Sequence, residues 1–190
     1  MVSADGTPEV STPRAPDQEA VRALEVRLVP VGVHGRVPAR RLEPLSTELA
    51  SHGRNHGLFA EEEPLALDFT DESASAFSSR SGIALRRNGL RSAWAALPRG
   101  AAPVEDDVVD RLEDLMTALL ALDLPVPDRV APVVAIEPLD LVRAGTGQEQ
   151  GWTTATAEED FAVERLRATV HDVAEDLAAR LLAAVRREVP

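Results

Sequence analysis

The chain contains no cysteine and no lysine. The first absence excludes disulfides, thiolate metal centres and cysteine nucleophiles, and it fits a reducing compartment. The second means that all 20 basic residues are arginine. An all-arginine base content reads first as the codon bias of a GC-rich genome, and second as selection for bidentate anion recognition. Aromatic residues make up only 3% of the chain, so Val, Leu, Ile and Ala must fill the core. Few rings are at hand to stack on nucleic-acid bases. No apolar run reaches the length of a membrane span, and the stretch from Met1 to Gln18 is polar, with no apolar signal core. A cytoplasmic location without a membrane partner follows by elimination.

The 190 residues, 44% of them hydrophobic, suffice for one ordinary domain. Such a domain buries roughly 70% of the surface its unfolded chain exposes. The net charge of -12 opposes long-range attraction to nucleic acid unless the arginines cluster. Residues 1–20 carry Pro8, Pro13 and Pro16 among small polar residues and read as a disordered leader to a single domain over residues 21–190.

Periodicity gives the coarse elements. Glu25 to Val33 alternates and then becomes apolar, as a first strand does, until Gly32 and Gly35 interrupt it. Leu42, Leu45 and Leu49 define one face of a short helix over 40–51, and the glycine-rich stretch 52–57 reads as a loop. Leu65, Leu67 and Phe69 suggest a strand over 64–70. The segments 82–87 and 90–97 flank Asn88-Gly89, a pair that tolerates positive φ and favours a type I′ hairpin. Pro98 closes the second strand. Residues 103–122 predict a helix with Pro103 in its first turn, Glu105, Asp106 and Asp107 at the positive end of its dipole, and an apolar stripe from Val108 to Leu119. Arg129 to Ile136 predicts a strand, which Pro132 places at an edge or a bulge. A second long helix is expected over 163–187, with an alternative start at a Thr156–Glu159 capping box. Hairpin-linked strands followed by helices point to the α+β class: a mainly antiparallel sheet with two long helices packed on one face.

Charge is segregated. Residues 73–104 hold Arg80, Arg86, Arg87, Arg91 and Arg99 and no acid, whereas residues 105–140 hold ten acids and two arginines. A basic hairpin therefore precedes an acidic helix. Its arginines either face acids of the same fold or form one half of a self-complementary surface that joins two copies.

No catalytic pattern emerges. His52 and His56 have helical metal-ligand spacing, but Gly53 stands where the zinc-protease pattern has glutamate. His34, Ser46 and Asp68 lack the Gly-x-Ser-x-Gly elbow of a hydrolase. Gly32-Val33-His34-Gly35 has the two glycines of a nucleic-acid-clamping loop, yet follows a strand rather than joining two helices. Gly145 to Gly151 has its last glycine one residue late for a dinucleotide loop. No cofactor or metal is called for. Arg86, Arg87, Arg91 and Arg99 are the candidate binding residues, since a β-ribbon with such side chains suits a DNA groove; a charge-guarded sheet edge is the simpler explanation. Trp94 and Trp152 are candidate interface anchors, with a core position the simpler one for Trp94.

The run Ser81-Gly82-Ile83-Ala84-Leu85-Arg86-Arg87-Asn88-Gly89, with Arg91-Ser92-Ala93-Trp94-Ala95-Ala96-Leu97-Pro98, Leu119 to Pro125, Arg129-Val130-Ala131 and Val173 to Leu181, resembles the C-terminal region of actinobacterial Schlafen/AlbA-type DNA-binding or ATP-binding proteins. The resemblance covers about residues 75–188. It implies an accessory module, because that family's nucleic-acid-binding domain lies upstream and its motif is absent here; no functional residue transfers. The expectation is a non-catalytic interaction or regulatory module that associates with itself or with a protein partner. The alternative is a nucleic-acid-binding protein that uses the arginine hairpin.

Overall fold

The computed structural model describes residues 21–32, 35–98, 104–123, 127–139, 142 and 153–188. The leader, His34, Arg99, the glycine-rich loop 145–151 and Trp152 lie outside them. Eight strands form one antiparallel sheet: β1 (Arg22–Val31), β2 (Ala66–Phe69), β3 (Ser73–Phe77), β4 (Ser81–Arg86), β5 (Arg91–Ala96), β6 (Arg129–Pro138), β7 (Thr153–Thr156) and β8 (Phe161–Ala162). Their order is β2-β3-β4-β5-β1-β6-β7, with β8 also paired to β6. The helices are α1 (Leu42–Asn55), which follows a 3-10 turn at Ala39–Arg41, α2 (Glu105–Leu120), α3 (Val163–Ala168) and α4 (Val170–Glu188). The α+β class and the antiparallel sheet agree with the sequence reading.

Period two decides which side of the sheet the helices cover. Leu24, Val26 and Leu28 of β1, Ala74 and Ala76 of β3, Ile83 and Leu85 of β4, Ala93 of β5 and Val130, Val134 and Ile136 of β6 share one buried cluster with the apolar stripes of α1, α2 and α4. The core therefore lies between one sheet face and the helices. β3, the sequence Ser-Ala-Ser-Ala-Phe, escapes propensity because it lacks β-branched residues. Its small Ala74 and Ala76, 1% and 0% exposed, let α1 sit close to the sheet.

Local chemistry corrects several boundaries. The β4–β5 turn is not type I′, since among the described residues only glycines have positive φ and Asn88 does not. Arg86 accepts from the Gly89 N–H at 2.9 Å and donates to the Leu90 carbonyl at 2.8 Å, Gly89 adopts φ 83°, and Asn88 Oδ1 accepts from the Leu90 N–H. This is a three-residue loop with glycine at its left-handed position. The stretch 52–57 is not a loop at its start: α1 runs to Asn55, and Gly53 lies where the Phe59 ring packs, so that a Cβ there would meet the ring at 2.4 Å. Thr156 ends β7 rather than capping a helix. The long C-terminal helix is broken at Thr169, whose φ of -125° separates α3 from α4.

Pro132 sits within β6, paired with Leu28 of β1 on one side. Its carbonyl accepts from the Ala157 N–H on the other side, in the gap between β7 and β8. In an extended strand the N and C=O of one residue point the same way, so the missing donor faces this gap and no ladder bond is lost.

Candidate functional site

Of the hairpin arginines, Arg91 turns inward. β5 alternates as expected, but the face carrying Arg91 and Ala93 is the one covered by helices, and Arg91 is only 3% exposed. Its Nη1 donates to the carbonyls of Leu119 at 3.0 Å and Leu122 at 3.3 Å. Arg91 is thus removed from any outward-facing ribbon. The reason is tertiary: α2 ends above β5, and its last carbonyls need donors. Burial, and after it the nearby Arg167, lowers the Arg91 pKa to about 10. Arg87 donates to the carbonyls of Val37 and Asp71 and pairs with Glu72 at 3.3 Å, which ties the hairpin to the β2–β3 turn and to the segment before α1. Arg86 is half-buried at the end of β4.

The end of α2 is satisfied from four directions. Its last turn contains no basic residue. The Thr117 carbonyl accepts from the Ala121 N–H at 3.0 Å, Ala118 from His52 Nε2 at 2.7 Å, Leu119 from Arg91, and Leu120 from Arg167 Nη2 at 2.6 Å. An acidic N-terminus and three imported donors thus match the dipole at both ends. His52 is therefore a structural donor, with its Nε2 directed away from a shared site with His56, although the two rings lie 4.3 Å apart. Burial, ahead of every other cause, lowers the His52 pKa. Among the described residues no cluster of three or more His, Asp or Glu is arranged to hold a metal.

Ser46 and Asp68 do not form a hydrolytic pair. Ser46 is buried in α1, where its hydroxyl donates to the Glu43 carbonyl at 2.7 Å, whereas Asp68 is exposed on β2. Trp94 is 5% exposed and lies on the sheet face opposite α1, α2 and α4, packed with Ala23 and Val142. Its indole covers Gly82, the cross-strand partner, where a Cβ would sit 2.5 Å from the ring. Trp94 is a core residue, not an exposed anchor.

That same face carries a polar trio that sequence reading missed. Arg27 Nη2 donates to Glu25 and, at 2.8 Å, to Glu137 Oε1. Glu25 is 5% exposed and Glu137 1%. Burial raises the Glu25 pKa, an effect that Arg27 opposes and Glu137 reinforces. Period two in β1 was the available signal: Glu25 and Arg27 alternate with Leu24, Val26 and Leu28. What that period does not reveal is Glu137, brought in by the β1–β6 register.

Exposed large apolar residues lie elsewhere, among them Val104 at the start of α2 and a pair on β2. β2 is the outer strand, exposed throughout, with Leu67 47% and Phe69 50% exposed on one side. The Thr70 N–H donates to the Ser73 carbonyl at 2.8 Å, so Thr70 and Asp68 direct their backbone groups toward β3. By alternation the N–H and C=O of Leu67 and Phe69 point outward, away from the sheet. No arginine, proline or bulge lies within this edge. Among the described residues no helix is long and apolar enough to cross a membrane. No family model, curated protein or solved structure matches the chain.

Proposed function

We propose that the protein is a non-catalytic interaction module that pairs reversibly with a second copy of itself through the β2 edge. The carrying observation is the combination of outward backbone groups with half-exposed Leu67 and Phe69 on the same four residues. A free strand edge of this kind is a template for another strand. The two-fold arrangement sets Leu67 opposite Phe69 of the second copy, twice, which makes the contact self-complementary. Asp68 then meets its own copy on the other sheet face, and this repulsion limits the strength of the pair. The resemblance of residues 75–188 to an accessory region is consistent with a role in association rather than chemistry.

The arginine-hairpin reading has less to stand on, because Arg91 and Arg87 are engaged with carbonyls and Glu72 of the same chain. Sedimentation velocity tests the proposal. The wild type is expected to shift from monomer toward dimer as concentration rises to about 0.5 mM. Phe69→Glu should remain monomeric, and Asp68→Asn should dimerise more strongly. A wild type that stays monomeric across this range, or a dimer indifferent to Phe69→Glu, overturns it.

A further inference from the structure

A cavity of about 480 Å³ opens between the C-terminal end of α1, the β3–β4 turn and α2. Its volume lies in the range of small-molecule sites. α1 rests on β2, β3 and β4, and α2 on β5 and β1, so the space lies over the seam of β4 and β5 where neither helix reaches. Arg80 enters from the turn, Arg111 and Asp114 from α2, and His56 from the end of α1.

The cavity arginines differ from those that brace the fold. Arg87, Arg91 and Arg167 are held by carbonyls or carboxylates. Arg80 and Arg111 make no side-chain hydrogen bond or ion pair among the described residues; Arg111 acts on Asp114 through charge alone. Asp114 likewise has no hydrogen-bond partner there. Glu63, the other acid of the wall, accepts one bond from the Ala60 N–H at 3.2 Å, through Oε2, and keeps its charge. Two guanidinium groups therefore face the space against two carboxylates, of which Asp114 has no hydrogen-bond partner among the described residues.

The signs select the ligand. A bare anion gains at Arg80 and Arg111 but loses at Asp114; a bare cation does the reverse. A molecule carrying both charges gains at each end. We infer that this cavity binds a small zwitterion of the amino-acid type, its carboxylate held by Arg80 and Arg111 and its ammonium by Asp114. Burial and the neighbouring Asp110 and Glu113 already raise the Asp114 pKa, a strain that an incoming ammonium relieves. The inference is independent of the β2 edge, which lies outside the cavity wall.

Heteronuclear NMR titration of the full chain with each free L-amino acid tests it, with acetate, inorganic phosphate and methylammonium as single-charge probes. At least one amino acid is expected to saturate shifts at Arg80, Ser81, Arg111 and Ala118 below about 10 mM, while the single-charge probes bind at least about 10-fold more weakly. Arg111→Gln and Asp114→Asn should each weaken that binding by about 10- to 100-fold, with an unchanged amide spectrum elsewhere showing that the fold persists. Absence of saturable shifts for every amino acid overturns the inference. So does acetate or phosphate binding as tightly as the amino acids, or binding that Asp114→Asn leaves intact.

Discussion

Replacement of Arg91 tests the view that the hairpin's charge serves the fold. Arg91→Ala removes two charge-assisted bonds to the end of α2, at Leu119 and Leu122. Bonds to a charged group contribute about 1.5–3 kcal/mol each, and a cation at a helix C-terminus adds up to about 2 kcal/mol in a partly buried setting. Against this stands the cost of burying the guanidinium, which the lowered pKa of about 10 reflects. The net expected loss is about 3 kcal/mol, since two buried carbonyls are left without a donor. In a domain of this size that corresponds to a fall in Tm of about 6–12 °C. Arg91→Met keeps most of the volume and should lose about 2 kcal/mol. Arg36→Ala, at an exposed position, should stay within about 0.5 kcal/mol of wild type. Urea unfolding followed by circular dichroism measures all three. If Arg91→Ala unfolds within about 0.5 kcal/mol of wild type, the capping account is refuted.

Gly82→Ala should destabilise by about 1–3 kcal/mol and shift Trp94 fluorescence, because the new methyl collides with the indole; an unchanged emission spectrum and Tm would contradict this. Arg27→Met should cost about 3–5 kcal/mol by leaving Glu25 and Glu137 buried together, while Glu25→Gln should be neutral or stabilising at pH 7, as denaturant midpoints will show. The two histidines should act with opposite sign. His52 has a lowered folded pKa, so its contribution is present above the unfolded value of 6.5 and is lost as pH falls through the folded one. His171, raised chiefly by its bond to Glu113 at 2.8 Å, contributes fully below 6.5 and loses that contribution as pH rises through its folded pKa. Comparing stability against pH for His52→Gln and His171→Gln should flatten the acidic and the neutral-to-alkaline limb respectively; the same limb flattening in both would refute the assignment.

The sequence by itself determined the local elements. The alternation of Leu24, Val26 and Leu28 makes a strand, the stripe from Val108 to Leu119 makes a helix, and Asn88-Gly89 makes a reversal, because each depends on residues within a turn or two of one another. β3 and the break at Thr169 were faint for the same reason: Ser and Ala carry little propensity, and one Thr does not interrupt an apolar stripe. Only the tertiary structure decided what the charges do. Arg91 alternates like any exposed hairpin residue until α2 ends above it. Glu137 joins Glu25 and Arg27 through a strand register, and Arg80 comes to line one cavity with Arg111 and Asp114 through a gap between helices. Such pairings join residues far apart along the chain, and local periodicity carries no record of which faces meet.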